Sequence, residues 1–148
     1  MAHRLMLPGK PEGLPFIWNV DAHVGHLASC ANRPTDVELI KYLRTMLDSF
    51  GKPSRPRHAS VANVRLELNG QFDAVLAYRI FSSQAGMQYP GKVVDGIISP
   101  IRGHGSPYIW TLGQWNYHFH KAQPVLFQNL PDAPGLSAAL RAELKRTV

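Results

Sequence analysis

The sequence predicts a mainly α domain with long loops, short β elements and extensions at both ends. Three observations carry this: a capped amphipathic segment at residues 35–50, a second apolar segment after an Asn-Gly turn, and a leucine stripe near the C-terminus. With 148 residues the chain is long enough for one substantial core but not for two independent ones. Its composition, 45 % apolar and 18 % charged, belongs to a globular chain and excludes a disordered one.

Residues 1–34 read as an extended N-terminal segment. Pro8, Gly9, Pro11, Gly13 and Pro15 interrupt it around one apolar piece, "PFIWNV". Those interruptions leave no continuous apolar stretch of the kind a secretory leader needs. The expectation is synthesis in the cytoplasm without a signal peptide, with the final location, and a non-classical export route, left open. No apolar run approaches the roughly 18 residues of a membrane span, so none is expected. Cys30 is the single cysteine, which excludes an intramolecular disulfide framework and fits a reducing compartment.

"NRPTDVELIKYLRTMLDSFG" is the strongest helix signal. Thr35 is placed to cap the first turn, and Asp36 and Glu38 suit the positive end of the helix dipole. Val37, Ile40, Leu43 or Leu47 and Phe50 recur at helical spacing, and Gly51 supplies a stop. A basic, Pro-interrupted loop follows, with Lys52, Arg55 and Arg57. "VANVRLEL" reads as a short strand or extended approach to the turn at Asn69-Gly70. "QFDAVLAYRIFSSQ" chooses no clean face and reads as a buried second helix. In "KVVDGII" the Asp95-Gly96 pair predicts a tight turn with very short strands or bends on each side. "YIWTLGQWNYHF" reads as a third buried helix or turn. Leu136, Leu140 and Leu144 define a short C-terminal amphipathic helix with Arg141, Lys145 and Arg146 toward its negative end.

The order of these signals resembles the peptidoglycan-binding-like domain, a small three-helix module attached to many cell-wall hydrolases. Asn69-Gly70-Gln71-Phe72 stands where that family has a turn before its second helix, and Gln84 near that helix's end. Asp95-Gly96 takes the place of the second turn, followed by Pro100 and then Trp110-Thr111-Leu112 opening a third helix. The resemblance spans residues 35–117, leaving 118–148 as a C-terminal segment with a short helix. Asp73 and Ser99 depart from it, each standing where the family has Gly. What the resemblance implies is a three-helix core and a non-catalytic module that recognises cell-wall glycan or peptide. Arg79, Gln84, Tyr89, Asp95, Trp110 and Trp115 are the candidate ligand-binding residues, since sugar rings need aromatic faces and their hydroxyls need amides or carboxylates.

Other chemistries have weaker cases. "VDAHVGH" and "WNYHFH" supply Asp21, His23, His26, His118 and His120, the residue types of a zinc site. The second stretch is faintly similar to the Trp-x-His end of zinc D-alanyl-D-alanine peptidases. Gln114 stands where those enzymes need an acidic base, so a zinc-dependent wall peptidase is a minor alternative. No catalytic residue, metal or cofactor is therefore expected. No nucleophile elbow or phosphate-cradling loop is present. Net charge is +6, which favours anionic partners. Trp18, Tyr78, Trp110 and Trp115 could stack bases, but basic and aromatic residues are not interleaved, which argues against nucleic acid. The main alternative to a wall-binding module is a protein-interaction or assembly component of a phage particle or secretion system, with homo-oligomers left open. Both terminal segments are expected to pack on the central helices, so deleting residues 1–20 or 132–148 should lower stability.

Overall fold

The computed structural model describes residues 1–7, 13–50, 64–87, 93–102 and 110–146. The protein is mainly α. Strands β1 (His3–Met6) and β2 (Phe16–Asn19) form an antiparallel ribbon, with Arg4 opposite Trp18 and Leu5 opposite Ile17. A second, two-residue ribbon joins β3 (Val24–Gly25) to β4 (Ile97–Ile98). The helices are α1 (Pro34–Phe50), α2 (Ala74–Gly86), α3 (Thr111–Ala122), α4 (Pro124–Gln128) and α5 (Ala138–Lys145), with a 3-10 turn at Leu130–Asp132 between the last two.

The N-terminal segment is part of the core. All four residues of β2 are buried, and Phe16, Trp18 and Phe127 form a ring cluster with centroids 5.0–6.1 Å apart. Phe119 meets Phe127 edge-on at 5.6 Å. The Trp18 indole N–H donates to the Phe127 carbonyl at 2.8 Å, satisfying its one polar atom inside the cluster. An indole, two phenyl rings and their aliphatic neighbours remove enough apolar surface here to offset the ordering of a chain without helix or long strand.

Helix α1 is the central element, touching α3, α5 and β3. It begins on Pro34, whose fixed φ and missing N–H suit a first helical position. Thr35 therefore lies inside the first turn and not at the cap. The one-sided face expected for α1 also gives way: residues Asp36 through Leu43 are all buried, charged ones included. Each buried charge there reaches a partner in another segment. Asp36 accepts from the Asp21 and Ala22 amides at 3.2 and 3.1 Å. Glu38 accepts from the Ser137 amide and hydroxyl, both at 2.6 Å, fixing the start of α5. Lys41, with no exposed surface, donates to Asn69 Oδ1 and Asp73 Oδ2 at 2.8 and 2.7 Å.

Helix α2 is capped by Asp73, whose carboxylate accepts from the Leu76 amide at 2.8 Å. Asp73 thus serves cap and ion pair together, which accounts for an acid at that position. Contrary to the buried helix expected, only Leu76, Ile80 and Gln84 are buried, a single i, i+4, i+8 stripe, and Phe81 faces out. The turn before the helix passes so close to α1 that a Cβ at Gly70 would come 2.6 Å from Pro34 Cβ. Helix α3 runs to Ala122, through the 117/118 boundary expected between core and C-terminal segment. Leu136, Leu140 and Leu144 are buried, and α5 packs on α1 and β1. Gly51 and the basic loop around Lys52, Arg55 and Arg57 lie outside the described residues.

Candidate functional site

The candidate site forms around Gln84, near the end of α2. Its side chain is buried, and its amide reaches three segments. Oε1 accepts from the Gly96 amide at 2.8 Å. Nε2 donates to the Ile97 carbonyl at 3.0 Å and lies 3.2 Å from both Asp95 Oδ1 and Thr111 Oγ1. Asp95 Oδ1 also accepts from the Ile97 amide at 3.0 Å. Gly96 has φ +72°, the left-handed conformation that glycine adopts without a Cβ penalty. One amide therefore sets the Asp95-Gly96 turn, the start of β4 and the first residue of α3.

The very short strands or bends expected on each side of this turn form no hairpin. Val93 and Val94 carry no strand, while Ile97–Ile98 pair with Val24–Gly25 from far upstream. The Gln84 amide pairs instead with the Gly96 amide and the Ile97 carbonyl.

Of the six residues nominated from sequence, four have structural work. Gln84 and Asp95 brace the turn. The Arg79 guanidinium pairs with Asp48 at 2.6 Å and donates to the Val64 carbonyl at 3.1 Å. Trp115 is only 2 % exposed; its indole N–H donates to Ser83 Oγ at 2.9 Å, and the Arg44 guanidinium lies 5.1 Å from its ring. Burial of that ring corrects its expected role as a sugar platform: α3 turns it inward with Leu112 and Phe119. Tyr89 lies outside the described residues. Trp110, the residue before α3, is 40 % exposed.

Sequence reasoning missed other exposed apolar side chains. Phe81 is 52 % exposed one helical turn before Gln84, and Val93, Val94 and Leu27 are exposed as well. The site of a Cβ at Gly96 lies 3.0 Å from His26 Nδ1 and 3.8 Å from Phe81 Cδ2, so the turn lies between those two side chains. The outward position of Phe81 follows from the stripe that buries Ile80 and Gln84.

The histidines do not converge. His23 Nδ1 lies 3.1 Å from Ser99 Oγ, while His26 borders Gly96. "WNYHFH" is helical, not extended, so His118 and His120 project from opposite sides of α3. His120 stands edge-on to Phe127 at 5.2 Å; burial and then the Lys121 charge hold His118 below the usual imidazole range. Among the described residues no three His, Cys, Asp or Glu side chains form a metal-binding group. Among them, no helix is long and apolar enough to cross a membrane. No family model, no curated protein and no solved structure matches the chain.

Proposed function

We propose that this chain is a non-catalytic binding module whose ligand surface is the shoulder formed by Phe81, Trp110 and the Val93–Gly96 segment. The observation that carries the reading is the exposure of Trp110 and Phe81 beside a turn fixed from beneath by buried Gln84. Rigid aromatic faces bind without a large ordering cost, because the framework is set before the ligand arrives. The polar side chains that a reaction would recruit here, Gln84 and Asp95, are engaged in holding the turn.

The ligand class we assign is cell-wall peptidoglycan, in keeping with the resemblance carried by residues 69–72, 84, 95–96 and 110–112. A sugar ring would stack on Trp110 and exposed Asp95 would meet hydroxyl or amide groups. The test is retention of the folded protein on purified insoluble peptidoglycan at low salt. Retention is expected, and Trp110→Ala should weaken it by about tenfold with the melting temperature unchanged. Passage of the folded wild-type protein without retention would overturn the glycan assignment.

A second reading, docking of a partner protein in an assembly, is favoured by the aliphatic side of the same shoulder. Val93 is 63 % exposed, with Leu27, Val94 and Phe81 exposed as well, and such side chains are better covered by another protein than by a sugar. Under this reading Val93→Asp abolishes partner binding, and Trp110→Ala leaves it largely intact.

A further inference from the structure

On another part of the molecule, the segment just before the Asn69-Gly70 turn carries neither helix nor paired strand. Along Arg65–Leu68 burial follows the period-two pattern of an extended chain: Arg65 and Glu67 are exposed, Leu66 is buried and Leu68 half-buried. Val64, on the face of Leu66 and Leu68, is left 43 % exposed. Arg65 through Leu68 line a shallow open groove together with Gly135. Among the described residues, the backbone amides and carbonyls of Arg65, Leu66 and Leu68 have no hydrogen-bond partner. Only the ends are tied: the Val64 carbonyl accepts from Arg79 at 3.1 Å and the Glu67 carbonyl from the Asn69 amide at 2.8 Å. Extended backbone with unpaired amides and carbonyls can take a strand alongside it.

We propose that this edge pairs with the same edge of a second copy, as an antiparallel ribbon about a two-fold axis at Leu66. The side-chain order Val-Arg-Leu-Glu-Leu is self-complementary in that register. Arg65 of each copy falls opposite Glu67 of the other, so both cross-strand pairs on the outer face unite opposite charges. On the inner face Val64 falls opposite Leu68, and Leu66 meets its own symmetry mate, covering the exposed Val64. A single-sign edge would repel its copy, which is how charged edge strands ordinarily avoid pairing. Opposite signs two residues apart reverse that effect, and an isologous contact of this kind closes as a dimer. The ribbon is short, well under the roughly 1,000 Å² of a stable interface, so the dimer is weak, with a dissociation constant in the range of about 10 μM to 1 mM.

Sedimentation velocity on the full chain, from about 10 μM to 1 mM at near-physiological salt, tests this. The wild type is expected to shift from monomer to dimer across that range. Arg65→Glu, which sets Glu against Glu, should weaken the dimer by about tenfold or more, and Glu67→Arg should do the same. The double swap Arg65→Glu/Glu67→Arg should restore it, while thermal melts confirm that all three variants fold. A wild type that stays monomeric throughout overturns the proposal, and so does a dimer indifferent to single reversals. Protection of the Arg65–Leu68 amides by an added extended peptide, in a chain that never self-associates, would assign the edge to a foreign strand and likewise overturn self-pairing. Trp110→Ala should leave the dimer intact, so failure here is separate from failure of the wall-binding reading.

Discussion

Asn116 and Gln84 are both buried amides, and both hold a non-helical segment by imitating a neighbouring strand. Asn116 Oδ1 accepts from the Trp18 amide at 2.7 Å, and its Nδ2 donates to the Trp18 carbonyl at 3.1 Å. Gln84 offers the same pair of atoms to the Gly96 amide and the Ile97 carbonyl. The difference lies in what surrounds them. Asn116 has no exposed surface and pins β2 inside the aromatic cluster, where water cannot substitute. Gln84 works under a turn whose Asp95 is exposed and whose outer side carries Phe81 and Trp110. The same chemistry therefore seals a core in one place and supports a surface in the other.

The device recurs. Asn19 donates to the Ile101 carbonyl and accepts from the Ile101 amide, both at 3.0 Å, and Asn32 makes the same exchange with Gly25, both at 2.9 Å. Four carboxamides thus stitch irregular stretches that have only two-to-four-residue strands of their own. An amide suits the task because it carries donor and acceptor on one planar group with the spacing of a peptide.

The largest effect is expected at Asn116. Asn116→Leu leaves the Trp18 amide and carbonyl unpaired in the core and should cost about 3 kcal/mol in urea unfolding. Gln84→Leu should cost less, about 1–2 kcal/mol, since water reaches the exposed turn. Its distinctive signature is faster amide exchange at Gly96 and Ile97 with the Trp18 amide still protected. Equal losses at both positions would break the distinction between core seal and surface brace. Smaller again is Ser83→Ala, which removes the acceptor of the buried Trp115 indole and should cost about 1 kcal/mol.

The pH response separates two further acids. Burial alone would raise the Asp73 carboxyl, but the Lys41 hydrogen bond and charge override it and hold it below its ordinary value of 3.8. Its stabilisation is then present above that value and is lost as pH falls through the lower folded-state value. Burial pushes Asp36 above 3.8, against the two backbone amides it accepts. The folded state then holds that proton more tightly, so Asp36 lowers stability as pH rises through the window above 3.8. Melts followed from pH about 2 to 6 should therefore show a shallower acid loss in Asp73→Asn and a flatter upper window in Asp36→Asn. Wild-type slopes in both variants would sink these assignments.

The mainly α character, the span of α1, the second helix after Asn69-Gly70 and the leucine stripe of α5 were legible because each is local. Helical periodicity and glycine turns act over a few residues, and a linear reading registers them. Val37, Ile40 and Leu43 needed only their spacing to be placed in the core. The amides of Asn19, Asn32, Gln84 and Asn116 were not legible as braces, because nothing in a sequence says which distant backbone will meet a side chain. Asn116 and Trp18 are 98 positions apart. The inward face of Trp115 and the outward face of Trp110 are separated by little more than one turn of helix, with the same aromatic chemistry in both. Only the packing of α3 on α1 and β2 chose between them, because burial of one side of a helix is a property of its neighbours.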